Sequence, residues 1–153
     1  MASIRDKIIA AAITALNTAR PGGIPAAERT RTAAIDPSEL PSILVYPGLD
    51  QPEEVGGGLG PIVKSSFRIL VEMRAAGTIS IRADEAIDPL YVWTVKKLAG
   101  ARLSDGAGGF LNHDIQEGET SFQFDQGEAP YGLAVTAFLV SYQHLVGDPE
   151  ARV

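Results

Sequence analysis

The sequence predicts an α+β domain: a mostly antiparallel sheet with two main helices packed on one face. Three observations predict it. Residues 4–19 and 81–99 carry apolar side chains at helical spacing. Residues 63–75 alternate apolar and polar. The other apolar runs are strand-like and are separated by turns rich in Gly and Pro. The chain has 153 residues, 45% of them hydrophobic and 21% charged. A domain of that size buries roughly 70% of the surface its unfolded form exposes. A single domain over residues 1–153 is therefore expected.

Each element has a local reason. Ser3 is placed to cap a first helix, with Asp6 adding negative charge to its first turn. Ile4, Ile8, Ile9, Ala12, Ile13 and Leu16 then recur on one side until Arg20-Pro21-Gly22-Gly23 stops the helix. This N-terminal stretch reads as an amphipathic helix rather than a signal peptide. A short strand is expected around Arg29–Ala33 and another at Ile43–Tyr46, between Pro41 and Pro47. Residues 47–61 hold Gly48, Pro52 and Gly56–Gly58, and they read as a long flexible loop, centred on 48–61. In the alternating stretch Val63, Ser65, Phe67, Ile69, Val71 and Met73 share one face, and Lys64, Arg68 and Arg74 lie on the other. Residues 81–99 predict one bent helix, interrupted at Pro89 and stopped by Gly100. Gly106–Gly109 reads as flexible, His113–Gln116, Ser121–Asp125 and Leu133–His144 as strands, and 126–130 as a hairpin loop. Residues 146–153 read as a short polar tail.

Composition narrows the chemistry. The chain has no cysteine, which removes disulfides, thiolate zinc sites, iron–sulfur clusters and cysteine nucleophiles. It has no apolar run of ~18 residues, so no membrane-spanning helix is expected. Residues 103–151 hold eight acids and no base, against a near-balance before them. An acidic segment of that kind argues against reading nucleic acid by sequence, which needs a basic stripe. The glycine-rich stretch is no phosphate loop, because Gly60 is followed by Pro61-Ile62-Val63 and a strand rather than by Lys, Ser and a helix. His113 and Asp114 point to opposite faces of an extended segment, which splits a metal-ligand set, and no Gly-x-Ser-x-Gly elbow is present. Asp84, Glu85 and Asp88 are ordinary complements to a helix N-terminus. These features describe a protein that works by contact, with no catalytic residue, metal or cofactor.

The order of these elements, with the stretches Leu40-Pro41-Ser42-Ile43-Leu44-Val45-Tyr46-Pro47 and Phe138-Leu139-Val140-Ser141-Tyr142, resembles the tail terminator or tail completion proteins of tailed bacteriophages. That group includes the minor tail protein U of phage lambda. The resemblance covers about residues 3–145. It implies a structural virion protein at the head-proximal end of the tail, assembled in the host cytoplasm. It implies a ring of identical subunits, hexameric in this family, that stops tail-tube polymerisation and presents a surface to the neck or head-completion protein. DNA passes through the bore without sequence-specific binding. On this reading Asp114, Glu117 and Glu119 border the bore, where negative charge repels phosphate. Lys64, Arg68 and Arg74 meet acids of the adjacent subunit, and the loop with Glu53 and Glu54 orders against a neighbour or the tube. Three other readings stay open at this point. One is another head–tail connector, neck or tube-like protein. A second is a non-structural binding module, such as a small adaptor in a secretion machine. The third is a small ligand-binding or hydrolytic domain built around His113.

Overall fold

The computed structural model of the chain describes residues 2–30, 36–55, 62–78, 80–125 and 131–152. Its elements run α1 (Ile4–Asn17), β1 (Ala27–Arg29), a 3-10 turn (Pro37–Glu39), β2 (Ser42–Val55), β3 (Ile62–Ala76), α2 (Ala83–Leu98), β4 (Asp114–Asp125), β5 (Tyr131–Leu145) and β6 (Asp148–Arg152). The expected strand residues 31–33, the glycine-rich residues 56–61 and the hairpin residues 126–130 lie outside the described residues.

The strands form one sheet in the order β1-β2-β3-β5-β4, with β6 added to the end of β5. Every pair is antiparallel except β1 with β2, which is parallel. Both helices lie on one face, as the sequence predicts. The Ser3 hydroxyl accepts the Asp6 amide at 3.2 Å and so starts α1. Its Ile4, Ile8, Ile9, Ala12 and Leu16 are buried. At the other end Asn17 both donates to and accepts from the Ala27 backbone, at 3.0 and 2.7 Å, tying α1 to the edge strand β1. On α2, Ile87, Leu90, Thr94 and Leu98 are buried. They meet the inner face of the sheet: Phe67, Ile69, Val71 and Met73 of β3, and Ala134, Phe138 and Val140 of β5. Alternation thus assigns the faces of β3, with Phe67 1% and Ile69 0% exposed.

Four local expectations are corrected. First, β2 does not end at Tyr46: it continues through Pro47 to Val55, paired with β3 throughout and shifted in register between Pro47 and Asp50. The loop expected at 48–61 is therefore strand as far as Val55. Proline is tolerated there because, among the described residues, β1 covers Ile43–Val45 and nothing pairs with the outer side of Pro47 or Pro52, so no ladder bond is lost. Second, β4 is one strand rather than two. Gly118 and Glu119 together face Ala137, forming a bulge that bridges the two predicted pieces. A Cβ on Gly118 would stand 2.9 Å from the Ala137 carbonyl oxygen, which explains the glycine.

Third, the polar tail contains β6, which folds back on β5 after a turn at Gly147 (φ +77°). Fourth, Gly106–Gly109 is held by Asp105, whose carboxylate accepts the amides of Ala107 and Gly109 at 2.7 and 2.9 Å. The neighbouring Asn112, 3% exposed, accepts from the Leu103 amide and donates to the Ala101 carbonyl. These bonds make an ordered loop of the segment between α2 and β4.

Candidate interaction surface on the open sheet face

The face of the sheet opposite the helices has no covering layer among the described residues. Cross-strand register assembles it row by row. One row runs Gln51, Ser66, Ser141, Asp114, and the next Glu53, Lys64, Gln143. Toward the other end Arg68 stands beside Leu139, then Tyr46 beside Leu70 and Ala137, and Leu44 beside Glu72 and Val135. The centre of this face is apolar. Leu44 and Ala137 are each only 7% exposed, and Leu70, Tyr46, Val135 and Leu139 stand beside them in the register. Charge rims the band. Lys64 and Arg68 are exposed, while Arg74 is half-buried and contacts Glu72 at 3.3 Å. Beside that pair, burial and the Glu72 charge push the Tyr46 hydroxyl above its usual pKa, with Arg74 opposing.

The residues singled out from sequence distribute as follows. Lys64, Arg68 and Arg74 share this open face in the middle of the sheet, and Glu53 joins them opposite Lys64. Glu54 is opposite Val63 in the register. The three acids of β4 do not share a face. Asp114 is opposite Ser141 on the open face. Glu117 falls two residues after buried Ile115, on the helix side, where its carboxylate accepts a hydrogen bond from the Tyr91 hydroxyl of α2. That bond, more than partial burial and the charges of Glu117 and Asp88, raises the Tyr91 pKa. Glu119 is exposed in the bulge.

A shallow cleft of about 490 Å³ opens at the Lys64 end, lined by Glu53, Lys64, Ser66, His113 and Gln143 among others. Its side chains do not converge into a nucleophile and base. Among the described residues neither imidazole hydrogen-bonds a carboxylate or a hydroxyl: His144 contacts the Leu145 carbonyl at 2.7 Å. No three His, Asp or Glu side chains among the described residues group closely enough to hold a metal ion. Nor does any helix there have the length and apolarity to cross a membrane.

One polar constellation escaped the sequence reading. The register shift in β2 turns Asp50 inward, where its Oδ2 accepts from the Tyr142 hydroxyl at 2.9 Å and lies 3.5 Å from the Arg5 guanidinium. The first turn of α1, the β2 bend and the end of β5 are thereby tied together. Burial is the main cause that pushes the Tyr142 hydroxyl up to about 12; Ser65 opposes it, and the Asp50 carboxylate adds to it. No sequence signal marks Asp50, because its neighbours Gly48 and Pro52 disguise a strand as a loop.

No protein-family model matches this chain, and no curated protein matches it. Among solved structures, a chain of the "Virion of native gene transfer agent (GTA) particle" is similar to it. The likeness covers 91% of both chains with a TM-score of 0.43 and 11% sequence identity. A likeness of that degree carries no functional assignment.

Proposed function

We propose that this chain is a structural protein of a phage-like virion, and specifically a tail terminator. In this role identical subunits close into a ring at the head-proximal end of the tail tube, stop its growth and offer a surface to the neck. One observation carries the reading: a whole sheet face with an apolar band (Leu44, Tyr46, Leu70, Val135, Ala137, Leu139) rimmed by Glu53, Lys64, Arg68 and Arg74. Such a face is what a subunit buries against another protein. The order of elements and the two stretches quoted above support the choice of terminator over other virion parts. Arg68 and Lys64 meet acids of the adjacent subunit in this arrangement, a heterologous contact that closes into a ring. Asp114 and Glu119 of β4 border the bore, and Glu117 holds β4 to α2.

The test is native mass spectrometry at high protein concentration, with negative-stain images of the same sample and of tail tubes mixed with the protein. A closed ring, seated at one end of the tubes, is the expected result. A strict monomer that leaves tubes uncapped overturns the reading. Arg68→Glu provides the second arm: it should retain the monomer's fold and weaken ring formation most at low salt, where charge contacts are least screened.

A further inference from the structure

The outer edge of β4 is a second, independent surface. Among the described residues β4 pairs with β5 alone, at the end of the sheet. Its first half is covered, because the Gly100 amide donates to the Ile115 carbonyl at 2.8 Å. That bond also shows which way the ladder faces: the backbone of Ile115 points outward. Side-to-side alternation carried through the bulge, from Glu117 opposite Phe138 to Thr120 opposite Thr136, turns the backbones of Thr120, Phe122 and Phe124 outward as well. These N–H and C=O groups lie beyond the Gly100 contact. Natural edges are blunted by proline, lysine or inward charge, and Thr120–Phe124 has none of them.

Two aromatic rings flank this open edge. Phe122 and Phe124 stack with centroids 6.2 Å apart and planes 7° from parallel. They remain 54% and 47% exposed, although they stand on the helix side of the sheet. The charged side chains of β4 just before them are both acidic, Glu117 and Glu119, with no Lys or Arg between Ile115 and Phe124. Asp88 adds another acid from α2, on the same helix face as Tyr91.

We infer that the Thr120–Phe124 edge takes up an extended segment of another protein, one that alternates apolar side chains with Lys or Arg, as an added strand of the sheet. Main-chain hydrogen bonds to Thr120, Phe122 and Phe124 give affinity, the stacked rings receive the apolar side chains, and the acids select the basic ones. Charge argues against a second copy of this chain as the occupant. Two β4 edges would bring Glu117 and Glu119 against their own kind. The β2 outer edge carries Pro47, Pro52 and Glu53, and β6 carries Asp148 and Glu150. The three-residue β1 edge has its Arg29 engaged by Asp6 at 2.6 Å.

The probe is a short fluorescent peptide alternating Lys and Val, with an alternating Glu and Val peptide as its counterpart, titrated by anisotropy against the full chain. The Lys peptide should bind and the Glu peptide should not. Affinity should fall by about tenfold or more in Phe122→Pro, which removes an outward N–H, and in Glu119→Lys. Phe122→Val, which keeps the N–H, should fall less, and far-UV circular dichroism reports that each variant is folded. Equal binding of both peptides, binding of neither, or a folded Phe122→Pro that binds as wild type overturns the proposal. So does concentration-dependent self-association that disappears in Phe122→Pro, which would make a second copy the occupant. The readout does not depend on ring formation, so it stands or falls apart from the terminator reading.

Discussion

At Gly118 one missing Cβ decides how a strand bends. The nearest atom to that position is a backbone oxygen, Ala137 O at 2.9 Å, which cannot rotate away as a side-chain tip could. Gly118→Ala should therefore destabilise the domain by about 1–3 kcal/mol, read as a lowered urea midpoint at unchanged slope. Tyr142 poses a different single-residue problem. Its hydroxyl is held near 12 against an ordinary value of about 10. The neutral form is thus favoured by the fold. The stability this contributes is complete below pH ~10 and is lost as pH rises through ~12. Phenolate absorbance at alkaline pH should show Tyr142 titrating last, after Tyr46 and Tyr91, which are raised less, and melting temperature should fall over the same interval. Tyr142→Phe should remove that late step and leave Asp50 with Arg5 alone.

At the level of elements, α2 carries an internal defect. Pro89 is exposed on the helix and lacks an N–H for the Glu85 carbonyl. Pro89→Ala should therefore stabilise the domain by about 1–3 kcal/mol, measured by chemical denaturation. The helices and β3 were legible in the sequence because their signals are short-range: a serine cap at Ser3, a Gly-Gly stop, and alternation from Val63 to Met73. The second half of β2 was not, because Pro47, Gly48 and Pro52 carry a loop composition whose meaning reverses on an outer edge that no described strand covers. The Asp105 turn was hidden for a related reason, since glycines at positive φ in an ordered turn look the same in sequence as glycines in a mobile one. Of the candidate surface, the basic row on β3 could be read directly. Its joining with Glu53 depends on a register that no local pattern encodes, whereas the separation of Asp114 from Glu117 is plain alternation ahead of the bulge, in a stretch of β4 with no irregularity.

Among its described residues the molecule is a layer of two helices on a sheet whose other side is left uncovered. The helix side supplies most of the fold's own stability through Phe67, Phe138 and their neighbours, whereas most of the open side's apolar band is only partly buried, Leu44 and Ala137 excepted. Substitutions on the two sides should therefore separate cleanly. Phe138→Ala should cost about 3–5 kcal/mol and lower the melting temperature. Leu139→Glu, one residue away on the open face, should leave the monomer folded and prevent ring closure, as seen by native mass spectrometry. A Leu139→Glu protein that still forms rings would show that this face is not the one subunits bury.

The only tryptophan, Trp93, donates its indole N–H to the Leu16 carbonyl at 2.9 Å, with the Lys97 ammonium 4.8 Å from its ring centre. The chain thus holds a built-in optical reporter at the seam where α2 meets the end of α1. Its emission should shift to the red when that seam parts, even while the strands remain paired. Fluorescence and far-ultraviolet dichroism followed together through a denaturant series would then distinguish a molecule that sheds its first helix from one that opens all at once.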